Sequence, residues 1–248
     1  LLQLLGHPGT AVAAEAEAAV CDVGDRDHGP RPYRVCSSAF VLRCVTLPDL
    51  ILAISRLSTS RAVGVDGVPM FAIRMCLESI APHILHLVNS SISSHTFPDA
   101  WKVAIVTPIF KSGDPSSPGN FRPISILSAL SKILEKVVCS QLSSYLISNH
   151  ILTPSQYAYR PSHSTEDALL DILGSVAGSI DAGDVTSLTS IDLSKALDSV
   201  DHPILLTKLE QYGIPSDWFR SYLSHRSQLV RGCSSPPLPL SHGVSPQA

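Results

Sequence analysis

The chain has no Cys-x-x-Cys pair. Its six cysteines lie at 21, 36, 44, 76, 139 and 233, so no zinc site is spaced along it. Thiols scattered in this way suit reduced, mostly buried residues, and the expected compartment is the nucleus and cytoplasm. No apolar stretch is long enough to span a membrane, so no membrane partner is expected. The opening Leu1-Leu2-Gln3-Leu4-Leu5-Gly6 lacks an initiator Met and a charged flank. A signal peptide is therefore not expected, and the chain reads as a fragment at both ends. No internal repeat is present. An excess of positive charge is missing too: the formal net charge is −3, which weighs against a uniformly basic nucleic-acid binder.

What is there suffices for a core. The chain has 248 residues, 44% hydrophobic and 16% charged, enough for one large domain or two small ones. Nineteen prolines imply many loops and sharp helix starts. The charge is uneven. Residues 101–140 carry Lys102, Lys111, Arg122, Lys132 and Lys136 against Asp114 and Glu135, whereas residues 162–201 carry eight carboxylates against Lys195 alone. A basic segment beside an acidic one fits phosphates bridged to metal-binding carboxylates, although ordinary surface charge gives the same pattern.

Residues 1–45 are expected to be a divergent or disordered N-terminal segment, and 46–248 a single domain. Apolar spacing predicts helices at Pro48–Leu57, from about Met70, at Pro82–Ser93, at Leu127–Ser148 and at Ser164–Ile180. Trp101–Phe110 reads as a strand turned back by Lys111-Ser112-Gly113-Asp114, and Phe121–Ile126 as a short extended run. Val185–Leu193 and Gln228–Cys233 read as strands. Asp201 or His202 caps a helix with Pro203 in its first turn and Gly213 at its end, and Trp218–Leu223 is helical. The class is α+β.

Chemistry concentrates at Ile191-Asp192-Leu193-Ser194-Lys195-Ala196-Leu197-Asp198. Its two carboxylates lie six residues apart, the first closing a strand-like stretch and the second opening a helix-like one. A carboxylate fixed at a strand end suits Mg²⁺ held against a triphosphate; the plain alternative is two solvated acids near a turn. Four further runs stand in order around it. Ala62-Val63-Gly64-Val65-Asp66-Gly67-Val68-Pro69 is turn chemistry before a helix. Trp101–Asp114 and Asn120-Phe121-Arg122-Pro123-Ile124-Ser125 put Lys111 and Arg122 across one loop, where two cations can grip a triphosphate. Gln156-Tyr157-Ala158-Tyr159-Arg160-Pro161 leads into Ser162-His163-Ser164-Thr165-Glu166-Asp167-Ala168, with Ser164 and Asp167 at capping distance.

Taken together, these runs resemble the reverse transcriptase of non-LTR (LINE-type, jockey-like) retrotransposons over roughly residues 45–248. The resemblance implies the fingers and partial palm of a right-hand polymerase, with helices packed on an antiparallel sheet and the thumb absent. It implies RNA-directed DNA synthesis by two-metal nucleotidyl transfer from a dNTP to a primer 3′-hydroxyl, with an RNA template and a DNA primer as partners. By the match, Asp192 is the catalytic metal ligand for Mg²⁺ or Mn²⁺, and the backbone carbonyl of Leu193 also faces the metals. Lys111, Arg122 and Leu197 contact the dNTP, and Gln247 contacts the dNTP or the template. Asp198 is a support, and Arg160 contacts template backbone or holds the palm, with a cap plus an internal ion pair as the structural alternative. The chain departs from the family at Leu197, where the family carries an aromatic residue that excludes a 2′-hydroxyl, and at Gly243-Val244-Ser245-Pro246-Gln247-Ala248, which has one residue more than Gly-Val-Pro-Gln-Gly. The family's second carboxylate pair is expected downstream of residue 248, so no polymerase activity is expected of these residues alone. The alternative function is a catalytically inactive retrotransposon remnant with weak nucleic-acid binding. A Mg²⁺-dependent phosphatase using Asp192 as nucleophile lacks its Asp-x-Asp, since residue 194 is Ser.

Overall fold

A computed structural model describes residues 39–193, 196, 199–230 and 239–240. The described helices are α1 (Leu47–Ser55), α2 (Met70–Met75), α3 (Leu77–Ser93), α4 (Ala129–Ser148), α5 (Thr165–Asp181), α6 (His202–Gln211) and α7 (Asp217–Leu223). The strands are β1 (Val103–Phe110), β2 (Phe121–Ile126), β3 (Ser227–Val230) and β4 (Pro239–Leu240). The class is α+β, as the sequence implies.

Helix starts follow local chemistry. The Thr46 hydroxyl accepts from the Asp49 N–H, and the Asp49 carboxylate accepts from the Thr46 N–H at 3.1 Å, a reciprocal cap on α1. Ser164 and Asp167 repeat the device on α5. Asp201 caps α6 through the Ile204 N–H at 2.9 Å, and Gly213 closes it at φ 73°. A helix start expected at Pro82 lies instead at Leu77, with Pro82 inside α3. Proline removes one helical hydrogen bond, but Ala81, Ile84, Val88 and Ile92 are buried along the same helix, and that burial outweighs it.

The core forms around α4, where Ile133, Leu134, Val138 and Leu142 are fully buried. α1 packs on both α3 and α4, and Leu205, Leu209, Trp218 and Phe219 of α6 and α7 join the same core. Trp218 stacks on Tyr222 with ring centres 5.4 Å apart, and its indole N–H donates to Ser91 Oγ at 3.1 Å. Phe40, from the N-terminal segment, is buried edge-on against Tyr145.

The sheet runs β2-β1-β3-β4. It is mixed rather than antiparallel throughout: β1 pairs antiparallel with β2, β3 pairs antiparallel with β4, and β1 pairs parallel with β3. Four described helices separate β2 from β3, and a helical crossover is what permits parallel pairing. Val185–Leu193, expected as a strand, is not one. Val185 and Leu188 are 99% and 74% exposed. A strand needs a neighbour to take its N–H and C=O groups, and the segment has no place in the described sheet.

Candidate nucleotide-binding hairpin

β1 and β2 form a hairpin that is buried at its base and exposed towards its tip. Ala104 and Val106 are buried, while β1 is exposed from Pro108 onward and β2 over Arg122–Ile124. Local chemistry shapes the tip. The Lys111 N–H donates to the Asn120 carbonyl at 2.8 Å, extending the ladder by one pair. Gly113 turns the chain at φ 93°, which favours glycine, and a Cβ there would stand 2.7 Å from Asn120 Nδ2, so that amide would have to move. Asp114 accepts from the Ser116 hydroxyl at 2.6 Å and the Ser116 N–H at 2.9 Å. Those bonds, the hydroxyl's first, hold its carboxyl below the usual range. Phe110 and Phe121 meet edge to face at 5.5 Å across the two strands.

Register decides where the cations go. Arg122 stands opposite Ile109, and Lys111, two residues on from Ile109, shares its face of the pleat. The two cations are diagonal neighbours, about 7–8 Å apart on general sheet geometry with their Cβ atoms somewhat closer. Both are exposed, and neither has an ion-pair partner among the described residues. A pair of this kind can span a polyphosphate, Arg122 bidentately and Lys111 as a point charge. The rest of the basic segment differs. Lys102 is buried with its ammonium 2.8 Å from Asp99, and Lys132 and Lys136 are half-buried on α4.

Asp192 and Leu193 are exposed residues of the non-strand segment Val185–Leu193. Leu197, Asp198 and Gln247 lie outside the described residues. A divalent ion takes several oxygen ligands at once, yet among the described residues no three His, Cys, Asp or Glu side chains are grouped to hold a metal. Asp192 is one carboxylate, and the described residues do not by themselves fit the metal that the resemblance implies. Arg160 donates to the Thr153 and Pro154 carbonyls at 3.2 and 3.5 Å; it pins its own loop, and no ion pair of it is found among the described residues.

Sequence reasoning missed one contact. The Gly67 N–H donates to the Gly64 carbonyl at 3.1 Å, and Asp66 accepts from the Val68 N–H at 3.2 Å. The Ser128 hydroxyl then donates to the other oxygen of Asp66. Gly64 lies so close that a Cβ would stand 2.7 Å from the Ser128 nitrogen and 2.9 Å from the Leu127 carbonyl carbon. Nothing in the sequence marks Ser128 as the partner of a residue 62 positions earlier.

Comparison with known proteins gives a coherent set. Residues 109–245 match the family model described as reverse transcriptase (RNA-dependent DNA polymerase). The chain is similar to the RNA-directed DNA polymerase from mobile element jockey of Drosophila melanogaster, 27% identical over 208 residues, covering 82% of this chain and 23% of that protein. It is similar to the probable RNA-directed DNA polymerase from transposon BS of the same organism, 27% identical over 202 residues, covering 80% of this chain and 22% of that protein. A third relative, the probable RNA-directed DNA polymerase from transposon X-element, is 28% identical over 182 residues, covering 72% of this chain and 20% of that protein. The chain thus spans only 20 to 23% of the length of these relatives.

Proposed function

The chain belongs to the reverse transcriptase (RNA-dependent DNA polymerase) family, and from that premise we propose that it is the fingers and first part of the palm of a non-LTR mobile-element polymerase. The observation that carries this reading is the shared exposed face of Lys111 and Arg122. In the complete protein a primer 3′-oxygen attacks the α-phosphorus of a dNTP. The new O–P bond forms as the bond to the β-phosphate oxygen breaks, and pyrophosphate leaves. Lys111 and Arg122 hold the β- and γ-phosphates and offset the charge that accumulates on the leaving group. A divalent ion, Mg²⁺ or Mn²⁺, would supply charge neutralisation at the reacting phosphates, and Asp192 would be one of its oxygen ligands beside others from outside the described residues. Leu197, in place of an aromatic residue, weakens the exclusion of ribonucleotides.

Titration calorimetry with dTTP at low ionic strength tests the grip. The wild-type chain binds, and Lys111→Ala combined with Arg122→Ala weakens binding about tenfold or more, since each charge-assisted contact is worth about 1.5–3 kcal/mol. Equal affinity in the double variant would refute the assignment.

A further inference from the structure

We infer that the Gly64–Gly67 loop is a positioning device for the hairpin: Asp66, acting through Ser128, sets the direction in which Lys111 and Arg122 point. The inference rests on the reading of that hairpin given above. Its physical basis is the contrast between the two ends of β2. Leu127, Ser128 and Ala129, just past the strand, are buried, whereas Arg122, Pro123 and Ile124 are exposed. The tip of the hairpin rests on little besides its own turn, so its aim is set at its base. Arg122 lies six residues before Ser128, about 20 Å along an extended chain. A small rotation at Ser128 therefore becomes a large displacement at the cations.

β1 is held at that base by its pairing with β3, and three observations show that the loop holds the β2 side. Gly64 sits on the Leu127–Ser128 backbone with no room for a Cβ. Asp66 is fixed in its own turn by the Val68 N–H while its second oxygen takes the Ser128 hydroxyl. Ser128 occupies the N-cap of α4 without making a side-chain cap bond, although capping is what serine ordinarily does there. Its hydroxyl is directed at Asp66 instead. The same carboxylate stands near the start of a 20-residue helix, where negative charge is favoured. Arg74 ties down the other end of the connection, donating to the Ile54 and Ser55 carbonyls at 2.8 and 3.1 Å and to Thr59 Oγ1 at 2.6 Å. The Gly-x-Asp-Gly run is thus more than an inter-helix turn. Gly64 permits the approach, Asp66 makes the bond, and Gly67, at φ 69°, lets the loop turn back towards α2.

The test measures dTTP affinity and melting temperature together on the whole chain. Asp66→Ala and Ser128→Ala should each weaken dTTP binding about three- to tenfold, the range expected for one hydrogen bond. The Asp66→Ala, Ser128→Ala double variant should be no weaker than either single, because both remove the same contact. Asp66→Asn keeps an acceptor oxygen and should recover most of the affinity. Asn89→Ala supplies the control for plain destabilisation. Its amide holds Val45 at 2.9 and 3.0 Å, away from the hairpin, and its loss should lower the melting temperature without changing dTTP affinity. If Asp66→Ala and Ser128→Ala bind like wild type while the Lys111, Arg122 double variant does not, the positioning role is wrong and the hairpin reading stands. If Asn89→Ala weakens dTTP as much as Asp66→Ala, the effect is general stability and the positioning role is again wrong. If the Lys111, Arg122 double variant binds like wild type, or wild type does not bind, the hairpin reading fails and this inference with it.

Discussion

His95 and His150 occupy the left-handed position just past α3 and α4, both at φ 51°. In each case the next N–H reaches back, Thr96 to the Ser91 carbonyl at 3.1 Å and Ile151 to the Leu146 carbonyl at 3.0 Å, which is the Schellman closure. Glycine fits this conformation without strain, and histidine does not. His95→Gly and His150→Gly should each stabilise the fold by about 0.5–1 kcal/mol, read as a higher denaturant midpoint at unchanged slope; a midpoint that stays or falls would contradict the assignment. Both helix ends, Ser93 and Ser148, fall where the apolar spacing of the sequence placed them. The closure itself is another matter: Gly213 closes α6 in the same conformation and glycine announces it, whereas histidine does not. Tyr222 gives a second residue-scale expectation. Burial first, then the Glu135 carboxylate, raises its phenol well above the ordinary value of 10.0, with Arg226 opposing. A raised folded-state pKa means that the contribution is complete below the unfolded value and is lost as pH rises. Stability should therefore decline from about pH 10 upward, and Tyr222→Phe should flatten that decline. A slope unchanged in the variant would rule the linkage out.

Among the elements, α4 and α5 have similar apolar periodicity and opposite surroundings. α4 buries its stripe at the centre of the core. α5 buries no residue, and Leu169, Ile172, Leu173 and Ile180 are all exposed. Periodicity reports that a helix has an apolar face; it does not report what covers it. The same holds for Val185–Leu193, whose composition favours a strand while the pairing that makes one is a property of its neighbours. The parallel β1–β3 pairing escaped the sequence for that reason too: Val103 meets Ser227 across four described helices, and no local signal carries such a register. The contrast is measurable. Leu134→Ala should cost about 2–5 kcal/mol of folding stability, whereas Leu169→Glu with Leu173→Glu should change it by less than about 0.5 kcal/mol each and reduce self-association in sedimentation. A large loss from the α5 pair would show that the helix is packed in solution.

For the molecule as a whole, the parts of the site differ in how far apart their residues lie. The shared face of Lys111 and Arg122 was legible because one short hairpin carries both, and alternation alone puts them on it. The bond between Asp66 and Ser128 was not, because it joins two loops across the fold. Asp192 was legible as a residue and not as a site, since a metal centre is a meeting of several donors and the described residues bring no such group together. In the complete polymerase Asp192→Ala is accordingly expected to abolish Mg²⁺-dependent primer extension, and robust extension by that variant would overturn the role. Nucleic-acid binding should persist in weak form, because it depends on phosphate contacts rather than on the metal. With an unstructured RNA oligonucleotide, the logarithm of affinity should fall linearly with that of salt, by about 0.7 per phosphate neutralised on a single strand. If Lys111 and Arg122 face nucleic acid as well as triphosphate, removing both should lower that slope by about 1.4. An unchanged slope would confine the pair to the nucleotide and leave the half-buried Lys132 and Lys136 of α4 as the next cations to substitute.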